Sequence, residues 1–352
     1  GGMYLCGVVG KANSTATITP LAEFSNITNN GNISTHKDSK VTADLLFAGV
    51  AGDIVMENAT VVCDKLVNNG NITHNGYSNA TRLAGVAAYT CTGSFTNCKN
   101  TGDLTITTGA RHTSGYMGGV FGNTVYPKTM NNIVNEGAIT IQDAAKEDLT
   151  FKHGYIQMYG IAYGVSMKAG DDIPTVTNCT NRGPISVGKI TNATTGNGGR
   201  LYMAGLFSNI YAGNISDCTN EATGTITAKT GLWSTEYMIG GFVTYIGSNS
   251  NCTTIKITDC ENKAAILCDP YIDDNNTILK GEIGGFCAEA YVDSNADTYH
   301  VEFLRAKNSG NVTVKGKFVT SGYPYFGGFM GAANYDSLFF TDCEVSGVTD
   351  MN

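Results

Sequence analysis

The sequence predicts an all-β chain, a parallel β-helix (β-solenoid) of about nine coils with long loops. Three observations carry that expectation. A glycine pair recurs along the whole chain, an asparagine motif follows each pair, and apolar residues around the motif alternate with the period of a strand. Like residues of successive coils would then lie above one another at about 4.8 Å, giving a rod of about 43 Å.

The glycine pairs are Gly7-Val8, Gly49-Val50, Gly85-Val86, Gly119-Val120, Gly160-Ile161, Gly205-Leu206, Gly241-Phe242, Gly285-Phe286 and Gly328-Phe329. The residue before the glycine is small in eight of the nine units, and so is the residue three places after it. Tyr159 and Tyr163, in one unit, are the exceptions. Small residues on a strand suit close approach of neighbouring backbones.

The second pattern reads apolar-or-Cys, x, Asn, x, Gly, x, apolar, as in Cys98-Lys99-Asn100-Thr101-Gly102-Asp103-Leu104. Its asparagines are Asn29, Asn68, Asn100, Asn135, Asn181, Asn220, Asn262 and Asn308, and a ninth, degraded copy has Val345 in that place. Asn followed two places later by Gly is turn chemistry, because both tolerate positive φ. Strand, loop, strand, turn and strand leave room for three strands per repeat; a propeller blade needs four. Stacked asparagines would hydrogen-bond from coil to coil, while the apolar-or-Cys column and the residue after the glycine would form a dry interior.

A solenoid grows without splitting, so residues 1–352 are read as one β-solenoid domain, a fragment or subunit of a longer array. The chain opens almost within its first glycine strand and shows no recognisable cap, so end-to-end stacking on other copies, into a filament, is an expected association. The net charge of −8 is spread thinly, with no basic block, so nucleic acid is not an expected partner. No apolar run approaches the length of a membrane helix, so no membrane insertion is expected.

Five of the 11 cysteines, Cys98, Cys179, Cys218, Cys260 and Cys343, share one repeat position and read as a buried small-apolar ladder, with disulfides as the second reading. Cys6 and Cys287, in glycine strands, read the same way, and Cys63, Cys91, Cys252 and Cys268 are the better disulfide candidates. Of the Asn-x-Ser/Thr triplets, Asn32, Asn71 and Asn311 occupy one slot just after the turn glycine, where the side chain should face outward. With Asn178, Asn214 and Asn251 they are candidate glycan sites, the alternative being solvated turn residues. Tyrosines flank the glycine strand (Tyr4, Tyr116, Tyr202, Tyr237 and Tyr325 before it; Tyr126, Tyr211, Tyr291 and Tyr335 after it) and either stack or fill the gap where loops meet the core.

Chemistry is sparse. The acidic pairs Asp171-Asp172 and Asp273-Asp274 lie in loops between motifs, and acids do not recur at one offset from the glycine. Asp273, Asp274 and Asn275 lack the spacing of a calcium loop. The five histidines are scattered, and no phosphate-binding glycine loop precedes a helix. The expectation is no catalytic residue, no metal and no cofactor.

The Gly118-Gly119-Val120-Phe121-Gly122 and Gly327-Gly328-Phe329-Met330-Gly331 strands, followed by Cys-x-Asn-x-Gly, resemble the GLUG-type repeats of β-helical, adhesin-like bacterial surface proteins, Bacteroidetes type. The resemblance spans the chain, with longer units and often Phe or Val where that repeat has Leu. It implies a secreted or cell-surface location, a β-helical adhesin stalk or filament subunit, and surface glycans or host proteins as partners. The alternative reading is a carbohydrate-binding or carbohydrate-cleaving β-helix, which would show a groove along one face with aromatic residues and converging acids.

Overall fold

The computed structural model describes residues 3–14, 21–56, 60–90, 92–107, 111–142, 155–188, 200–229, 236–269, 280–291, 299–315, 324–334 and 337–351. They form a parallel β-solenoid. One coil shows the plan: strand Arg200–Ala204, a bend at Gly205-Leu206, strand Phe207–Ile210, the short strands Asn214–Ser216 and Thr219–Asn220, a turn, and strand Ile226–Ala228. Stacking the coils yields three sheets of parallel strands. The strands ending at the glycine pair make the first, the strands after the turn make a 9-stranded sheet, and the segments between make a composite 24-stranded sheet. The register keeps like over like: Asn100 pairs with Asn135, Asn135 with Asn181, and Asn181 with Asn220.

Two columns meet inside the coil. Each asparagine donates from Nδ2 to Oδ1 of the asparagine one coil on, at 2.8–2.9 Å, from Asn29 through to Asn308. The second Nδ2 hydrogen goes to a carbonyl of its own turn, as from Asn100 to Gly102 at 2.8 Å and from Asn181 to Gly183 at 3.0 Å. Where Val345 ends the series, Asn308 donates instead to the Gly328 carbonyl at 2.8 Å. The repeated glycine lies against this column. A Cβ on Gly119 would lie 2.5 Å from Cγ of Asn135, and one on Gly160 would lie 2.5 Å from Cγ of Asn181. The glycine and the asparagine are therefore one device: a bare Cα lets the amide column approach the strand bend.

That contact forms a waist. On one side a cluster including Val120, Phe121, Cys179, Phe207, Phe242 and Phe286 packs between the two halves of the composite sheet. On the other, Leu104, Ile139, Met158, Ile185, Met203 and Ile226 pack between the first and third sheets. The first compartment is the dry interior expected from the repeat, and the second is an addition to it.

The turn chemistry sits elsewhere than expected. Neither the ladder asparagines nor the Asn-x-Gly glycines are left-handed. The positive φ falls one residue before the apolar-or-Cys position, at Asn26, Lys65, Asn97, Asn132, Asn178, Asp217, Asp259, Arg305 and Asp342, with φ of 51–56°. Seven of these nine are Asn or Asp, the residue types that tolerate this conformation. The Asn-x-Gly glycine is needed for space instead: a Cβ on Gly102 would overlap the Gly70 carbonyl of the adjoining coil.

The cysteine column faces inward, and its thiols close the bend, Cys218 donating to the Ser216 carbonyl at 3.1 Å and Cys260 to the Thr258 carbonyl at 3.3 Å. All ten described cysteines are free thiols, including Cys63, Cys252 and Cys268, which the spacing had marked for disulfides. Those three sit in separate columns of the stack; Cys268, for example, lies between Ala228 and Val314. Cys91 lies outside the described residues. Burial pushes the Cys98 and Cys268 thiols up to about 12, so they behave as small apolar side chains.

His74 is buried where Ile106 stands one coil on, with Thr35 Oγ1 at 3.1 Å from Nδ1 and Ser78 Oγ at 3.2 Å from Nε2. Burial pushes its pKa down to about 4, from 6.5. Between those values the unfolded chain takes up a proton that the folded chain refuses. This imidazole should therefore cost up to about 3 kcal/mol of stability as pH falls from 6.5 to 4. Urea titrations at pH 7, 5.5 and 4 on wild type and His74→Leu check this; an equal pH slope in both would exclude the assignment.

Candidate functional site

Outside the waist the chain bends the other way, so the outer faces of the strands before and after each glycine pair enclose a groove along the stack. Small residues make the bend possible: a Cβ on Gly240 would overlap the Val243 carbonyl, and one on Gly284 the Cys287 carbonyl. The groove floor is built of such residues, Ala48, Ala84 and Ala88 in the early coils and the buried Ser208 and Thr244 later.

One wall is a column three residues before each repeated glycine. Register places Tyr4, Leu46, Arg82, Tyr116, Gln157, Tyr202, Met238, Glu282 and Tyr325 in it, in that order. The facing wall carries Asn209, Tyr245 and Glu289 in successive coils.

The coil with the two exceptional tyrosines interrupts the floor. Tyr159 is fully buried and donates from its hydroxyl to the Gly122 carbonyl at 2.9 Å. Its ring fills the space left by Gly118, where a Cβ would come within 2.7 Å of Cε2. Tyr163 then stands in the groove, edge-on to Tyr116 with ring centroids 5.8 Å apart and 5.9 Å from Tyr159.

Beyond Tyr163 the groove widens into a cleft of about 410 Å³, lined by Tyr155, Gln157, Tyr163, Arg200, Tyr202, Asn209, Tyr211, Met238, Tyr245, Glu289 and Tyr291. Six of these are tyrosines. Tyr211 and Tyr245 pack at 6.0 Å, and Gly247 leaves room for them: a Cβ there would meet Tyr211 Cε1 at 2.8 Å. Burial pushes the Tyr211 phenol up to about 12 and raises Tyr163 as well, so both remain hydroxyl donors at neutral pH. Gln157 is only 3% exposed and its Oε1 has no hydrogen-bond partner among the described residues, although a buried acceptor of this kind ordinarily finds one.

Of the tyrosines marked from the sequence, Tyr202, Tyr211 and Tyr291 line the cleft, and Tyr4 and Tyr116 continue the same wall below it. Tyr237 does not; it is 1% exposed and packs inside the second compartment, because it is one residue out of phase with the wall. Gln157, Tyr155, Tyr245 and Glu289 were not singled out. The slot three before the glycine, holding four tyrosines, was the available signal.

The glycan candidates Asn32, Asn71, Asn178, Asn214, Asn251 and Asn311 are all exposed. Asn32, Asn71 and Asn311 accept at Oδ1 from backbone N–H groups of Asn71, Asp103 and Val348 at 2.8–3.0 Å, which leaves Nδ2 free to carry a sugar. Asp171 accepts from the Lys168 N–H at 3.4 Å, in a loop away from the cleft lining, while Asp273, Asp274, Asn275 and Tyr335 lie outside the described residues. Among the described residues no three His, Cys, Asp or Glu side chains gather as a metal group, and no helix is long and apolar enough to cross a membrane. Comparison with protein-family models, with curated proteins and with solved structures returns no match.

Proposed function

We propose that the protein is a secreted or cell-surface structural solenoid that binds an extended carbohydrate along its tyrosine-lined groove. One observation carries the reading: a cleft of about 410 Å³ combines tyrosine rings with a buried Gln157 oxygen that has no partner among the described residues. Tyrosine offers a flat apolar face to a sugar ring and a hydroxyl to its edges, at low entropic cost. The orphaned carboxamide oxygen supplies an acceptor for a sugar hydroxyl. The stacked coils hold these groups on rigid strands, so little ordering is needed on binding. Glu289 serves as an acceptor in this reading and the groove binds without cleaving. Calorimetry with a panel of neutral and acidic oligosaccharides should find a ligand whose affinity drops about tenfold in Tyr202→Ala. A panel that binds nowhere, or binds the variant equally well, rejects the groove.

The same surface location makes Asn32, Asn71 and Asn311 attachment points for N-linked glycans. Peptide mass spectrometry on protein from its native source should show hexose-bearing peptides at this column; three unmodified asparagines would exclude it.

A further inference from the structure

The geometry points to an anion-binding subsite at Arg82, and so to an acidic glycan, one bearing carboxylate or sulfate groups, as the ligand of the groove. This rests on the glycan-binding reading and adds the charge of the sugar.

Arg82 stands in the wall column below the cleft, two coils before Gln157, or about 10 Å along the stack. Its guanidinium carbon lies 5.2 Å from the ring centroids of both Tyr89 and Tyr116. Nη1 donates to Asn123 Oδ1 at 2.8 Å. A guanidinium has five N–H donors, and this is its one side-chain hydrogen bond among the described residues. No carboxylate pairs with it there. Asp53, which register places beside Tyr89, is held through Oδ2 by Lys11 at 3.8 Å and by the Tyr4 hydroxyl at 3.3 Å.

Six cations of the stack are held differently from Arg82. Lys99, Arg182, Lys256, Lys263, Arg305 and Lys307 each pair with an acid between coils. Arg82 is instead held by two aromatic faces and an amide, which fix the planar fork, and no acid among the described residues pairs with it. Tyr116 connects it edge-on to Tyr163, at the cleft boundary. A chain whose neutral ring stacks in the cleft would thus place a charged substituent one or two sugars away, on the guanidinium. Bidentate recognition of a planar carboxylate or a sulfate is the chemistry arginine suits.

The test uses the full chain and three probes: oligogalacturonate, the same oligomer fully methyl-esterified, and a chondroitin sulfate oligosaccharide. Calorimetry in about 50 mM salt should show at least one anionic probe binding about tenfold more tightly than the ester, with a preference that fades as salt rises. Arg82→Gln should abolish that preference and leave ester binding unchanged. Tighter oligogalacturonate identifies a carboxylate ligand, and tighter chondroitin sulfate a sulfated one. Equal affinity for ester and acids in wild type, or an Arg82→Gln loss shared by all three, overturns the subsite while the groove stands. Absence of binding by every probe, with Tyr202→Ala also silent toward neutral oligosaccharides, overturns the groove and the subsite together.

Discussion

Replacing Asn181 by leucine is expected to lower the unfolding free energy by about 3 kcal/mol or more, each buried polar group left unpaired costing about 1–3 kcal/mol. Three hydrogen bonds end on this side chain: Asn135 Nδ2 donates to it at 2.8 Å, and it donates to the Gly183 carbonyl at 3.0 Å and to Asn220 Oδ1 at 2.9 Å. Leucine has similar bulk, so the change is one of polarity rather than volume. Asn181 is completely buried, so no water replaces the lost partners. Denaturant unfolding measures the difference directly. A midpoint shift no larger than that of Asn214→Ala, an exposed asparagine in the next coil, would show that the amide column contributes nothing to stability.

The second large effect is expected at Gly205. Its substitution by alanine should cost about 3 kcal/mol or more, at the upper end of overpacking penalties. The added Cβ would overlap the Gly241 carbonyl oxygen and come within 2.5 Å of Asn220 Cγ and Nδ2. The first neighbour is backbone within a parallel ladder, and the second is fixed by hydrogen bonds to Asn262, Gly224 and Gly241. Neither can withdraw alone. Gly281→Ala is the control, because its Cβ would meet nothing closer than 3.8 Å. Equal melting temperatures for the two variants would refute the close approach of glycine strand and amide column.

The architecture was readable from sequence because stacking imposes like on like. An amide column tolerates few substitutes, and a strand that touches it needs glycine, so both repeat visibly across the chain. The left-handed residue before the cysteine repeats as well, but Lys65 and Arg305 obscure it, and the eye goes to Asn-x-Gly. Ligand contacts obey no such rule. The wall column reads Tyr116, Gln157, Tyr202, Met238 through four coils, each residue chosen for what lies outside the stack. Concavity depends on bends at residues whose smallness already had an explanation in backbone packing, so the groove became visible only when register was known. Tyr237 shows the limit of composition: one residue separates a groove-facing ring from a core-facing one.

The amides from Asn29 to Asn308 all point their N–H bonds toward the higher-numbered coil. Reversing one would set two donors, or two acceptors, against each other at its neighbours, so orientation is collective. It is pinned at the two extremities, where Asn29 Oδ1 accepts from the Gly31 N–H and Asn308 Nδ2 reaches the Gly328 carbonyl. Amide dipoles aligned this way add along the axis, as peptide dipoles do in a helix. The molecule thus carries an internal electrical direction, with partial positive charge toward one extremity and partial negative charge toward the other, independent of its ionised side chains.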